Sequence, residues 1–389
     1  MRTLADLSDV SGKRVLVRVD FNVPLDGDGN VTDDTRIRAA LPTITWLRER
    51  GARVILVSHL GRPKGEVKPE FSLKPAALRL AHLLDAPVQL APAVVGPEVE
   101  AEANGLADGE VLLLENVRYE PGETKNDPGL AKQLAALADV YVNDAFGAAH
   151  RAHASTEGVA HLVPEKAAGL LLQREVETLK GILADPARPL VAIVGGAKVT
   201  DKIGVIDRFL EVADAVLIGG AMCFPFFKAQ GHAVGASLCE EEGIEPAQRA
   251  LAAGGDKLKL PVDLKLGREF SADTETRDLD GLEVPDGWMG LDVGPKTAAL
   301  YAELIRPAGT VFWNGPMGAF ELEPFSAGTR DVALAVADCP GTTVVGGGDS
   351  VAAVAKFELE DRITHVSTGG GASLELIEGR ALPGVEALT

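Results

Sequence analysis

Short apolar runs that alternate with longer amphipathic stretches constrain this chain more than any other feature. In the first part the runs are Arg14 to Val19, Val54 to Val57, Val111 to Leu114 and Val140 to Val142. Each has the length of a strand buried on both faces. Between them, Arg36 to Arg50 and Lys74 to Leu84 carry apolar residues at helical spacing. Strand, helix and strand in that order predict a parallel sheet covered by helices. The pattern resumes with runs at Leu190 to Val194, Ala215 to Ile218, Met289 to Val293, Val311 to Trp313, Thr343 to Val345 and His365 to Val366, which predicts a second α/β unit. In between, Leu172, Val176, Leu179 and Leu183 are spaced as one face of a helix, which Pro186 and Pro189 bring to an end.

At 389 residues the chain exceeds the roughly 250 to 300 at which a single core stops growing. The expected fold is therefore α/β, with two doubly wound, Rossmann-like parallel-sheet domains facing each other across a cleft and joined by that helix. The domains are expected at 1–171 and 172–379.

A formal net charge of −19 opposes the attraction to phosphate backbones and anionic membrane surfaces on which non-specific binding depends, so neither nucleic acid nor membrane is expected as a partner. Any anionic ligand must be held by a local basic cluster. Cys223, Cys239 and Cys339 are widely spaced and form no C-x-x-C pair, which points away from a disulfide framework or thiolate zinc site. Met1 to Asp9 shows no basic stretch followed by an apolar run, and no segment reaches the ~18 apolar residues of a spanning helix, so a cytoplasmic protein is expected.

Ligands of open parallel sheets bind beyond the carboxyl ends of the strands, and those ends divide into two kinds. In the first half they carry charge: Asp20 and Asn22, His59 and Arg62, Arg118, then Asn143 and Asp144 ahead of His150 and Arg151, with Arg36 after the first loop. Arginines gathered at one sheet edge suit a small molecule with more than one anionic group, because guanidinium binds carboxylate and phosphate through paired hydrogen bonds.

In the second half the ends are glycine-rich: G-G-A-K at 195–198, G-G-A-M at 219–222, Gly294-Pro295, N-G-P-M-G at 314–318, G-G-G-D at 346–349 and T-G-G-G at 368–371. Such turns let backbone N–H groups approach phosphate, and a following helix N-terminus adds favourable electrostatics. Lys198 and Lys202 share one face if a helix begins at that turn. A dinucleotide-dependent oxidoreductase would need G-x-G-x-x-G, and a solute-binding protein an export signal; neither pattern is found.

Over essentially its whole length the chain resembles phosphoglycerate kinase. The resemblance rests on R-V-D-F-N-V-P-L at 18–25, S-H-L-G-R-P-K-G at 58–65, L-L-E-N-V-R-Y at 113–119 and N-D-A-F-G-A-A-H-R-A-H-A-S at 143–155. It continues through G-G-A-K-V-T-D-K-I at 195–203, W-N-G-P-M-G-A-F-E at 313–321, G-G-G-D-S at 346–350 and S-T-G-G-G-A-S-L-E at 367–375.

The resemblance implies a monomeric, cytoplasmic glycolytic phosphotransferase. It would move a phosphoryl group reversibly between 1,3-bisphosphoglycerate and ADP, giving 3-phosphoglycerate and ATP, with Mg2+. Carried onto matching positions, it assigns the glycerate substrate to Asp20, Phe21, Asn22, Arg36, His59, Leu60, Gly61, Arg62, Arg118 and Arg151, the basic arginine and histidine members gripping its carboxylate and phosphate. Arg36, Lys198 and Gly370 become the catalytic positions. Nucleotide contacts fall to Lys198, Lys202, Gly219, Gly220, Gly290, Asn314, Gly346, Gly347, Gly348 and Ser350, with Glu321 at the ribose and Asp349 serving the metal. The segment 380–389 is expected to pack back on the first domain.

Overall fold

The computed structural model describes residues 1–389, which divide into two compact units, Met1–Glu177 with Arg380–Thr389, and Thr178–Gly379. The first unit holds a six-stranded sheet built from β1 (Arg14–Arg18), β2 (Arg53–Val57), β3 (Val88–Leu90), β4 (Val111–Leu113), β5 (Val140–Asn143) and β6 (Glu165–Ala168). The strands lie in the order β3-β4-β2-β1-β5-β6, and every pairing is parallel. β1 and β2 read R-V-L-V-R and R-V-I-L-V with all but the first residue buried, as strands covered by helices on both faces require.

A second six-stranded parallel sheet lies in the other unit. It comprises β7 (Leu190–Val194), β8 (Ala215–Ile218), β9 (Leu258–Lys259), β13 (Thr310–Asn314), β14 (Thr342–Gly346) and β15 (His365–Val366), in the order β15-β14-β13-β7-β8-β9. The same unit carries a separate antiparallel sheet of β10 (Leu264–Gly267), β11 (Thr276–Leu279) and β12 (Met289–Val293), with β10 in the middle. The Met289–Val293 run is thus a strand as expected, but not one of the parallel sheet. Accordingly the Gly294-Pro295 turn does not share the edge used by the other glycine turns. The Asp263 carboxylate accepts the N–H groups of Lys296 and Thr297 and so caps the helix Pro295–Ile305.

The helix Leu170–Ala184 passes from the first unit into the second. The last residues return to the first unit, where Leu382, Val385 and Leu388 are buried, Gly384 N–H donates to Ala149 O at 2.8 Å and Arg2 N–H to Leu388 O at 3.0 Å. Because each six-stranded sheet is wholly parallel, the loops that follow its strands gather at a single edge. That edge carries the polar residues in one unit and the glycines in the other.

Candidate functional site

At the polar edge of the first unit, Asp20 follows β1 and accepts both contacts of an ion pair with Arg36, in the first turn of the helix Thr35–Glu49, at 2.9 and 3.0 Å. Burial alone would raise the Asp20 carboxyl, but the guanidinium groups of Arg36 and Arg18 hold it below the usual carboxylate range. Asn22 Oδ1 accepts from Gly61 N–H at 2.8 Å, linking the first two loops. Gly61 has φ +59°, and a Cβ there would sit 2.4 Å from the Phe71 ring, so this turn admits only glycine. Phe21 and Leu60 are buried, and their backbone shapes the loops: Phe21 N–H donates to Ser58 Oγ at 2.8 Å, and Leu60 N–H to Asn116 Oδ1 at 3.2 Å.

His59 is 6% exposed, and burial holds its imidazole well below the ordinary histidine value against the pull of Asp20. Its Nδ1 lies 3.1 Å from an Arg18 nitrogen that can only donate, so Nδ1 accepts and Nε2 carries the proton. His59 is therefore a neutral donor rather than the basic grip expected of it. His153 is likewise neutral, pushed down to about 4 by burial and then by Arg18, Arg118 and Arg151.

Arg62, Arg118 and Arg151 converge with two lysines that sequence reasoning passed over. The five cations Arg62, Lys64, Arg118, Lys125 and Arg151 line a concavity of about 400 Å³, together with Glu120 and Thr124. One Arg118 nitrogen donates to Gly61 O at 2.9 Å, while its buried Nε has no hydrogen-bond partner. A half-buried guanidinium whose enclosed Nε has a spare donor, beside four other cations, favours an anion. Lys64 could have been found through its place in H-L-G-R-P-K-G. Lys125 had no signal beyond following E-N-V-R in the next loop.

Asn143 and Asp144, grouped with this edge in the sequence, engage the protein instead. Asn143 Oδ1 accepts from Ala145 N–H at 3.0 Å, and Asp144 Oδ1 accepts from Leu171 and Leu172 N–H at the start of the helix Leu170–Ala184. Both are fully buried. Asn116 was also missed; it is buried and ties the loops together, donating to Leu60 O and Phe71 O and accepting from Leu60 and Arg118 N–H.

In the second unit the turns after β7, β8, β13 and β14 pack on one another. A Cβ at Gly219 would lie 2.4 Å from Met317 Sδ, one at Gly220 2.4 Å from Gly196 O, and one at Gly290 2.3 Å from Phe224. These glycines are accounted for by packing. Around Gly348 and Gly370 there is open space, so nothing in the protein itself crowds their backbone. Gly347, with φ +92°, and Gly348 open the helix Gly348–Lys356, whose first turn presents an exposed Asp349. Behind it Ser350 Oγ accepts from Gly315 N–H at 2.5 Å, and Asn314 Nδ2 donates to Gly346 O at 2.9 Å. Gly370, with φ +51°, precedes the helix Gly371–Ile377.

The helix expected to align the two lysines begins only at Ile203, so Lys198 and Lys202 do not share a helical face. Lys198 is exposed. Lys202 Nζ turns inward to donate to Gly195 O at 2.5 Å, and burial pushes its ammonium down to about 8, against the pull of Asp349 and then Asp201. Glu321 is exposed beyond β13. No group of three or more His, Cys, Asp or Glu side chains is gathered to hold a metal alone. A single exposed carboxylate at Asp349 fits a hard cation that arrives on phosphate oxygens and keeps most of its waters.

The phosphoglycerate kinase family model matches residues 4–380. The phosphoglycerate kinase of Moorella thermoacetica is 61% identical over 390 residues, covering 100% of this chain and 98% of that one. A wheat (Triticum aestivum) relative described as cytosolic phosphoglycerate kinase is 55% identical over 98% of this chain and 96% of its own. Among solved structures, the phosphoglycerate kinase of Coxiella burnetii superposes with a TM-score of 0.88 at 43% identity, covering 99% of this chain and 98% of that one. No helix is long and apolar enough to cross a membrane.

Proposed function

The chain belongs to the phosphoglycerate kinase family, and from that premise we propose that it transfers a phosphoryl group reversibly between 1,3-bisphosphoglycerate and ADP, giving 3-phosphoglycerate and ATP, as a magnesium-dependent step of glycolysis. The acceptor in the ATP-consuming direction is a carboxyl group. The observation that carries this reading is the five-cation concavity of the first unit, in a chain whose net charge is −19. It suits a small molecule bearing both phosphate and carboxylate.

In this reading the first unit, Met1–Glu177 with Arg380–Thr389, holds the glycerate. Arg62, Arg118 and Arg151 grip its phosphate, while Asp20, Asn22, Arg36 and the Nε2–H of His59 orient the rest, together with the loop backbone at Phe21, Leu60 and Gly61. The second unit, Thr178–Gly379, holds the nucleotide. Its phosphates meet the turn and helix start at Gly346 to Ser350, open at Gly348, and the Lys202 ammonium, with Gly219, Gly220, Gly290 and Asn314 shaping the walls and Glu321 at the ribose. Asp349, together with the nucleotide phosphates, would hold Mg2+, which would supply neutralisation of charge on the nucleotide.

Phosphoryl transfer passes through a loose transition state with charge on the equatorial oxygens, so positioning and neutralisation do most of the catalysis. Arg36, Lys198 and the N–H groups following Gly370 supply that neutralisation. Transfer is direct and in line, without a covalent enzyme intermediate, on domain closure about the joining helix. The protein acts as a cytoplasmic monomer.

The test is a coupled assay with 3-phosphoglycerate, ATP and Mg2+, following acyl-phosphate formation in wild type and Arg36→Ala. Activity in the wild type that collapses in the variant is expected. A folded wild type without activity would refute the reading.

A further inference from the structure

Arg18, at the end of β1, is fully buried, and its hydrogen bonds all go to neutral acceptors. Nε donates to Ser155 Oγ at 2.8 Å, one terminal nitrogen donates to Val19 O, and the other to His59 Nδ1 at 3.1 Å. A cation enclosed in this way needs a compensating charge. That charge lies one hydroxyl further on. Glu123, also fully buried, accepts from Ser155 Oγ at 2.6 Å and from Ser155 N–H at 3.0 Å. Ser155 Oγ thus receives a hydrogen bond from the cation and donates one to the anion.

The segments joined by this chain of bonds are the ones that carry the cations of the concavity. Arg18 precedes the Asp20 loop and holds His59. Glu123 lies in the loop that runs from Arg118 to Lys125, and its field acts on Arg118. Glu123 O accepts from Ala154 N–H at 3.0 Å, which fastens that loop to the turn Ala154–Gly158. In the same turn Thr156 Oγ1 donates to Arg151 O at 2.8 Å, and the Tyr141 hydroxyl donates to Ser155 O at 2.8 Å. Burial raises the Glu123 carboxyl, with Arg18 the first influence opposing it.

We infer that Glu123 and Ser155 are positioning residues of the anion site: Glu123 fixes Ser155, Ser155 fixes Arg18, and the relay holds the loops bearing His59, Arg118 and Arg151 in the arrangement that receives the phosphorylated substrate. The inference rests on the assignment of that site to 3-phosphoglycerate. Neither residue touches the reacting atoms. Their loss is therefore felt in substrate affinity and not in the nucleotide site or the chemical step.

The experiment compares Ser155→Ala, Glu123→Gln and the double variant in the full-length protein. Ser155→Ala strips Arg18 Nε and Glu123 Oε1 of a partner. Glu123→Gln keeps the volume but offers one acceptor oxygen to two Ser155 donors. Kinetics with 3-phosphoglycerate and ATP are paired with calorimetric binding of 3-phosphoglycerate.

The KM and Kd for 3-phosphoglycerate should rise by about tenfold or more in each single variant, with kcat and the KM for ATP near wild type and the double variant no worse than the poorer single. Folded variants that bind 3-phosphoglycerate as wild type does, or whose two KM values rise together, overturn the relay. Loss of the fold in both single variants also overturns it, since the network would then serve stability alone. Wild type that binds 3-phosphoglycerate without turnover counts against the proposed reaction and leaves the binding comparison to decide the relay.

Discussion

Replacing Asp144 with asparagine should stabilise the first unit, and by more at high pH than at low. Asp144 is fully buried at the start of the helix Leu170–Ala184, and burial lifts its carboxyl from 3.8 to about 7 against Thr43 and the N–H groups of Leu172 and Leu171. Both N–H groups use Oδ1, at 2.9 and 3.2 Å, while Oδ2 has no hydrogen-bond partner. An asparagine can present its oxygen to the same two donors, with its amide nitrogen where Oδ2 stood.

The wild-type folded state keeps a proton that the unfolded chain sheds near 3.8, so stability falls as pH rises from there to about 7. Evaluated with those two values, the advantage of Asp144→Asn over wild type should widen by roughly 2 to 3 kcal/mol between pH 5 and pH 8. Urea unfolding followed by circular dichroism at the two pH values measures it. An equal gap at both, or a variant less stable than wild type at pH 8, would refute the reasoning. Asp292 provides the contrast. Its carboxyl is raised to about 8 by burial, but its two oxygens accept separately from Val293 and Gly328 N–H, so Asp292→Asn forfeits one bond and should not stabilise as Asp144→Asn does.

Two further outcomes test the second unit. Because burial holds the Lys202 ammonium at about 8, ATP affinity should decline above that pH by at most about tenfold per unit and be flat in Lys202→Met, as calorimetric titration from pH 7 to 9.5 would show; a wild type as flat as the variant removes Lys202 from the phosphate site. Gly219→Ala should cost stability, since its Cβ would lie 2.4 Å from Met317 Sδ, whereas Gly348→Ala should leave the thermal midpoint unchanged and raise the KM for ATP; the reverse pattern would mean that the open turn is not where the nucleotide lies.

Most of the parallel scaffold was legible because its central strands are covered on both faces, so R-V-L-V-R, R-V-I-L-V and L-V-A-I-V stand out as unbroken runs. β6, which reads E-K-A-A, has no such signature and is a strand because β5 pairs with it. The Met289–Val293 run shows the converse limit: an apolar pentamer announces a strand but not the sheet it joins, and this one pairs antiparallel with β10. Likewise the four-residue interval between Lys198 and Lys202 suggests a shared face only while a helix spans both, and the helix starts at Ile203, after both of them.

The charged residues were less legible than the strands, for a reason common to them all. A sequence shows that a side chain can ionise but not how much water reaches it. Arg18 reads as an ordinary polar end to β1, yet it is fully enclosed and holds His59 in the tautomer that makes it a neutral donor. Asp144 reads as one more group at the ligand edge, yet it caps a helix from inside. Arg62 and Arg151, by contrast, stay exposed and free to approach an anion. The polar strand ends therefore separate into two populations: an outer set able to meet the ligand, and a buried set whose charges and hydrogen bonds hold the outer set in place. On the relay inferred above, a substitution at Glu123 or Ser155 alters substrate affinity without removing a single contact to substrate.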